Sequence, residues 1–372
     1  MRVVVSAHNV VNYPEGGGHF WVYMQYVRGL RSAGCDVWWL ERFYPTGDSE
    51  TDAARISSFV QNLERYGLGG REILYTAGGV YINKPKAEAK AIFRETDLLL
   101  NFNQTIQPGI LEQFRRTALV DIDPGLLQLW ISRGQLQVPP HDLYFTTGET
   151  VGTRRATFPD CGLNWISIRP PVSLQSWPYV PETCSEAFTT ISTWWGSEWI
   201  EDGDEVYENS KRVSFLEFVS LPALTAQQLE LALCLGAGDE QDRKLMERNG
   251  WRVRPAWEVA NTPEAYWRYI QSSRGEFSCA KPSCMRLQNA WVSDRTLCYL
   301  ASGRPAVVQD TGPSAFLPRD MGMVRFSTLD EAAAGLEAVA SNYATHSRAA
   351  RDLAEAYFDA RSVAERILSC VG

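Results

Sequence analysis

Ser293-Asp294-Arg295-Thr296-Leu297-Cys298-Tyr299-Leu300-Ala301-Ser302-Gly303-Arg304-Pro305-Ala306-Val307-Val308-Gln309-Asp310-Thr311-Gly312 sets a capped helix, a sharp stop and a strand in immediate succession. Ser293 is an N-cap residue, and Asp294 to Ser302 reads as a short helix with an acidic first turn. Gly303 is its C′ residue and Pro305 prevents its continuation. Ala306-Val307-Val308-Gln309 is then a small, apolar strand, buried on both faces, and Thr311-Gly312-Pro313-Ser314 is the loop behind it. A helix feeding a buried strand in so few residues is half of an α/β unit with a parallel sheet.

The N-terminus opens the same way. Val3-Val4-Val5 is a strand, Asn12 to Gly18 is loop chemistry, and Trp21, Met24, Val27 and Leu30 recur at helical spacing from Phe20 to Ser32. Gly34 ends that helix and Val37-Trp38-Trp39-Leu40 is the next strand. Further strands are expected at Leu98–Phe102, Ala118–Ile122 and Leu143–Thr146. Arg169-Pro170-Pro171-Val172 and Trp177-Pro178-Tyr179-Val180-Pro181 read as an extended linker. Beyond it a strand is expected from Phe188 to Trp195, a helix from Thr225 to Leu235, a strand at Gly250–Val253 and a helix from Pro263 to Ser272. Leu329 to Val371 is helical almost throughout. The domains expected are 1–170, a linker 171–185, a second domain 186–348 and a helical tail 349–372.

Composition bounds the function. The 372 residues carry 36 Lys+Arg against 44 Asp+Glu, a formal charge of −8, with no basic run, which argues against a nucleic-acid partner. No apolar stretch is long enough to span a bilayer, and the N-terminal apolar run is too short for a signal peptide. The 8 cysteines are scattered among apolar neighbours, as reduced thiols in a cytoplasmic protein are. Neither the cysteines nor the 4 histidines fall at metal-ligand spacings, so no metal is expected.

Chemistry concentrates in three places. Gly16-Gly17-Gly18 lies between strand and helix, where backbone N–H groups meet anions, so Gly17 and Gly18 are candidate donor contacts. A dinucleotide fingerprint is the alternative, with Glu41 as its ribose acid, but the spacing is not G-x-G-x-x-G. His19 heads the helix, and a neutral imidazole there is a candidate base. Capping or burial is its plainer role. His8 reads as buried, His141 as a loop residue and His346 as part of a charged helix. Asp123, in Asp121-Ile122-Asp123-Pro124-Gly125, is either a turn residue or the partner or rival of His19. Arg274, Lys281, Arg286 and Arg295 gather cations suited to a diphosphate, with Glu276 or Asp294 for ribose hydroxyls and the Thr311-Gly312 backbone for phosphate oxygens. Internal ion pairing with Glu276 and Asp294 is the competing reading of those cations. The 13 tryptophans are chiefly packing, with one available to stack on a base or sugar.

Residues 293–312 resemble the donor-site segment of group 1 glycosyltransferases: Ala301, Gly303 and Pro305 match A-x-G-x-P, and Thr311-Gly312 matches the turn that touches the donor diphosphate. The Gly16–Gly18 loop and a final helix at Ala349–Cys370 also resemble that family. The resemblance implies the GT-B fold, two Rossmann-like doubly wound domains facing across a cleft, with a C-terminal helix returning to the first. It also implies transfer of a sugar from a nucleotide-diphosphate sugar, a co-substrate rather than a cofactor, to a small-molecule or glycan acceptor. Fixed cations would serve in place of a metal. One departure is clear: where retaining members carry E-x7-E, this chain has Ala290 and Cys298, so the ribose contact passes to Asp294 or Glu276. A GT-B nucleotide-sugar epimerase and a non-catalytic sugar-nucleotide-binding protein are the alternative readings.

Overall fold

The computed structural model describes residues 1–181, 185–196, 199–202 and 205–371. Residues 182–184 of the expected linker and Gly372 of the expected tail lie outside them. The chain divides into two compact units: Met1–Gly152 with Phe158–Pro171 and Ala360–Gly372, and Thr153–Thr157 with Val172–Asp359.

The first unit is built on β1 (Arg2–Ser6), β2 (Asp36–Arg42), β3 (Glu72–Tyr75), β4 (Leu98–Asn101), β5 (Thr117–Asp121), β6 (Leu143–Thr146) and β7 (Trp165–Ser167). They form one parallel sheet in the order β3-β2-β1-β4-β5-β6-β7. Val3, Val4 and Val5 are all fully buried, as a strand covered by helices on both faces requires. The chain runs outward one way from β1 and then the other way from β4, so the order reverses between them. Their carboxyl ends are where an open α/β sheet holds its ligands. The helix Gly17–Ser32 starts there and buries Phe20, Tyr23, Met24 and Val27 against the sheet.

In the second unit the strands are β8 (Ala187–Thr193), β9 (Trp199–Asp202), β10 (Glu205–Glu208), β11 (Gln228–Cys234), β12 (Arg252–Pro255), β13 (Gly275–Ser278), β14 (Ala306–Gln309), β15 (Asp320–Met321) and β16 (Met323–Phe326). The sheet runs β12-β11-β8-β13-β14-β16-β15, parallel except for the β15 edge, while β9 and β10 form a separate antiparallel hairpin. Here the order reverses between β8 and β13. Both sheets are thus doubly wound.

Two local expectations fail for identifiable reasons. Thr225–Leu235 is not a helix: its Leu229, Leu231 and Leu233 alternate and are all buried on β11 beside β8. The tail is two helices beyond residue 342, Tyr343–Tyr357 and Ala360–Ser369, broken at Phe358-Asp359. The last one packs on Gly17–Ser32 within the first unit. Gly29 permits this approach, because a Cβ there would sit 2.2 Å from the Ala360 carbonyl oxygen.

Candidate active site

In the first unit the loop after β1 is fixed from beneath. Glu41 is buried, and its carboxylate accepts the Val11 N–H at 3.0 Å and the Trp39 indole N–H at 2.8 Å. Burial pushes its pKa up to about 7, against the pull of those donors. Both oxygens are engaged with the protein, so Glu41 is not a ribose acid and the dinucleotide reading loses its key residue. Gly17 and Gly18 are not loop residues but the opening of the helix, and Gly16 is its N-cap. Their N–H groups have no intrahelical acceptor and mark the positive helix end.

His19 follows in the same turn. Its Nε2 donates to the His8 carbonyl at 2.6 Å, since a carbonyl can only accept, and this leaves the lone pair on Nδ1. Burial lowers its pKa, opposed by that hydrogen bond and by the charge of Asp123, so the ring is neutral at pH 7. Asp123 is exposed, and its backbone N–H donates to Asp121 at 3.0 Å. Asp121 itself is buried at the end of β5, where it accepts from Gln128 and Thr146, both at 2.9 Å. Gln128 in turn accepts the Gly125 N–H at 2.6 Å. This network forms the Asp-Pro-Gly turn, the plainer reading of Asp123. His141 is structural: its Nδ1–H donates to Pro139, Nε2 accepts from Asn101, and burial pushes its pKa down to about 4.

The second unit sorts the expected cations. Arg295 points inward from the helix Asp294–Ala301 and gives its Nε–H to Glu276 at 2.8 Å, its Nη1 to the Ile191 carbonyl at 2.8 Å and its Nη2 to Ser278 at 2.5 Å. Burial works against its charge, but the surrounding groups, the Glu276 carboxylate first among them, raise its pKa. Glu276 is fully buried in mid-strand, and its second oxygen has no partner. The expected ribose contact is therefore an internal counter-ion. Arg274 lies at the opposite, amino end of β13, stacked on Tyr343 at 4.7 Å, and is withdrawn from the ligand edge. Arg286 is spent on Glu205 and the face of Tyr207. Lys281 is the N-cap of the helix Pro282–Leu287, at the carboxyl end of β13, and Asp294 opens its own helix.

The Thr311-Gly312 turn also differs from expectation. The Thr311 hydroxyl donates to the Trp291 carbonyl at 2.7 Å, and the Gly312 N–H donates to Asp310 at 3.1 Å, so that N–H is not aimed at a phosphate. Arg325 completes the turn, binding Asp310 and the Gly312 carbonyl, each at 2.9 Å. Beside the turn is an open concavity lined by Ser278, Ala280, Trp291, Ser293, Gln309 and Arg325 among others.

Lys211 was invisible in the sequence, where it is a single lysine before a short helix. It is buried, faces the Trp291 ring at 6.0 Å, and has its pKa pushed down to about 7 by burial and by the charge of Arg295, with Glu276 opposing. Among the described residues no three His, Cys, Asp or Glu side chains form a metal-binding group.

No family model and no curated protein sequence matches the chain. Solved structures do. The chain is similar over its whole length to HepE of Anabaena in complex with UDP and glucose (11% identity, 99% of that chain, TM-score 0.59). It is likewise similar to an alpha-glucosyltransferase, AGT, in complex with UDP (11% identity, 99% of that chain, TM-score 0.62). A third such structure is sucrose-phosphate synthase from Thermosynechococcus elongatus (12% identity, 98% of that chain, TM-score 0.57). The chain has the GT-B fold that these glycosyltransferases share.

Proposed function

We propose that the protein is a glycosyltransferase that moves a sugar from a nucleoside-diphosphate sugar to an acceptor hydroxyl without a metal ion. The observation that supports this most directly is Lys211. It is a buried amine at the ligand edge of a doubly wound sheet, facing the Trp291 ring at 6.0 Å, with its pKa pushed down by burial and by Arg295, and an incoming diphosphate would favour its charged form. UDP is bound in the HepE and AGT structures, which makes a uridine donor the first to test here.

In this reading the second unit binds the donor. Lys211 and Lys281 neutralise the charge that develops on the diphosphate as its bond to the anomeric carbon breaks. The N-terminus of the helix Asp294–Ala301 adds its partial positive charge. The first unit supplies the acceptor side. If the reaction inverts, the acceptor oxygen forms the new bond to the anomeric carbon while its proton passes to Nδ1 of His19, and Asp123 stabilises the imidazolium that results. Ala290 and Cys298, the latter buried with its thiol on the Asp294 carbonyl, supply no carboxylate where retaining enzymes have a pair. That vacancy of charge favours a second reading, a protein that binds the sugar nucleotide without transferring it. We place the protein in the cytoplasm: its described cysteines are free thiols and no described helix is long and apolar enough to cross a membrane.

Thermal shift with UDP, GDP, TDP, CDP and NAD, each with EDTA, tests the proposal. Ligand at about 100 times its Kd stabilises the native state by about 2.7 kcal/mol. A rise with one nucleoside diphosphate that Lys211→Met diminishes is the expected result, and a rise with NAD alone would overturn it. Sugar transfer by the intact protein separates the enzyme from the binding protein.

A further inference from the structure

The hairpin β9–β10 follows the carboxyl end of β8, next to the strand-order reversal of the second sheet, and only Asn209 and Ser210 separate it from Lys211. Its register sets Trp199 opposite Glu208, Ile200 opposite Tyr207 and Glu201 opposite Val206. Side chains alternate along a strand, so Ile200 and Tyr207 share one face, and Trp199, Glu201, Val206 and Glu208 share the other. The first face is packed. Ile200 and Tyr207 are buried, and Arg286 lies over the Tyr207 ring at 4.0 Å while pairing with Glu205. Asn209 accepts the Ser283 N–H at 2.9 Å, which fastens the hairpin to the helix that Lys281 caps.

The second face is open. Trp199 is 63% exposed and Val206, its diagonal neighbour, is 58% exposed. Trp199 meets no ring, cation or hydrogen-bond partner among the described residues. The tryptophans just before it are both engaged: the Trp194 indole N–H donates to Asp242 at 2.9 Å, and that of Trp195 to Asp239 at 2.6 Å with Arg212 over its ring. An indole offers about 150–250 Å². A patch one ring wide is far smaller than the roughly 800 Å² each partner buries in a stable protein interface, so its occupant is a small ligand.

Charge narrows the choice. The sequence from 197 to 208 holds Glu198, Glu201, Asp202, Asp204, Glu205 and Glu208 and no Lys, Arg or His. Glu205 has Arg286, and Glu208 accepts from the Ser210 hydroxyl, whereas Glu201 meets no cation among the described residues. An exposed indole beside an unpaired carboxylate repels anions and suits a cation that also has an apolar face.

We propose that this face binds an amine-bearing saccharide. The C–H face of one sugar ring lies on Trp199 and Val206, and its ammonium group meets Glu201. In the glycosyl-transfer reading that saccharide is a part of the acceptor remote from the reacting hydroxyl; that assignment rests on the reading, while the binding site does not.

Calorimetric titration of the full chain below pH 7, where a sugar amine is charged, decides it with three probes. They are the β-1,4-linked tetrasaccharide of glucosamine, its uncharged N-acetylated counterpart, and tetralysine. The glucosamine probe binds about tenfold or more tightly than the N-acetylated one, and more tightly than tetralysine. Glu201→Gln shrinks the preference for the amine several-fold. Trp199→Ala weakens both saccharides several-fold. Neither variant lowers Tm, since both side chains are exposed. Four results overturn the proposal: no binding of the glucosamine probe below roughly 10 mM, an amine preference unchanged in Glu201→Gln, saccharide affinities unchanged in Trp199→Ala, or tetralysine bound as tightly, which makes the occupant a basic peptide. UDP titrated alongside separates the failures. UDP binding without an amine preference sinks this subsite alone, and amine-saccharide binding without any nucleotide binding sinks the transferase reading alone.

Discussion

Replacing Glu276 by Gln tests whether that carboxylate is an internal counter-ion or a ligand for the donor. The Arg295–Glu276 pair is 2.8 Å long, with side chains 9% and 0% exposed. Two unit charges about 4 Å apart at an effective dielectric near 20 attract by about 4 kcal/mol, and removing one partner of a buried pair costs about 3–5 kcal/mol. Gln keeps the shape and an acceptor for the Arg295 Nε–H, and the bonds to Ile191 and Ser278 persist. The cost therefore falls toward the lower limit, about 2–4 kcal/mol. In a domain of this size each kcal/mol moves Tm by about 2–4 °C, so scanning calorimetry should show a loss of roughly 5–12 °C. There is a second consequence. The Glu276 charge holds the Lys211 pKa up against burial, so its removal leaves Lys211 more neutral at pH 7.5 and weakens UDP binding, with recovery toward pH 6. A Glu276→Gln variant with unchanged Tm and a UDP affinity reduced equally at all pH values would show direct donor contact and refute the reasoning.

The Lys211 pKa of about 7, depressed by burial, means that a diphosphate must bring a proton with it above neutrality. UDP affinity should fall as pH rises past 7, by up to about tenfold per unit, and Lys211→Met should flatten the profile. His19→Asn should lower kcat for transfer by about 100-fold or more while leaving UDP binding unchanged in calorimetry. Gly312 has φ +130° and a Cβ there would lie 2.7 Å from the Gln288 carbonyl, so Gly312→Ala should cost about 2 kcal/mol or more, read as a fall in Tm. Glu41, raised by burial to about 7, binds its proton more tightly when folded. The resulting stability is complete below its unfolded pKa and is lost as pH rises through about 7. Tm should accordingly decline between pH 5 and 8, and less steeply in Glu41→Gln.

The parts of the fold that were legible in the sequence are those whose signals are local. Pro263–Ser272, Leu143–Thr146 and the helix from Asp294 carry their caps or apolar runs within themselves. Leu229, Leu231 and Leu233 misled because an apolar run with regular leucines suits either period, and only the neighbouring β8 decides between them. The strand-order reversals that locate both ligand edges are properties of pairing and have no sequence counterpart. Site residues failed for a related reason. Arg274 and Lys281 flank the same strand, β13, and a four-residue strand is enough to put them at opposite ends of the sheet. His19 and Asp123 stand out in the sequence because each is joined to a turn motif. Lys211 carries no motif, and what distinguishes it is a burial beside Arg295 that only the folded chain reveals.

Burial gives the cations of the second unit unequal standing. Arg295, Arg286 and Arg325 each have a carboxylate in hand, and Arg274 is at the wrong end of its strand. A diphosphate cannot recruit a guanidinium already satisfied without stranding its partner, and Glu276, buried with one oxygen already unpartnered, would be the costliest to strand. In the proposed reading the charge offered to a ligand therefore comes first from Lys211, with Arg295 acting through its field. That field has two effects on Lys211: it keeps the amine partly neutral while the site is open and adds to the attraction once a phosphate is present. In the proposed reading, anion binding and Lys211 protonation are coupled, and the restraint of Arg295 by Glu276 enters the affinity for the donor.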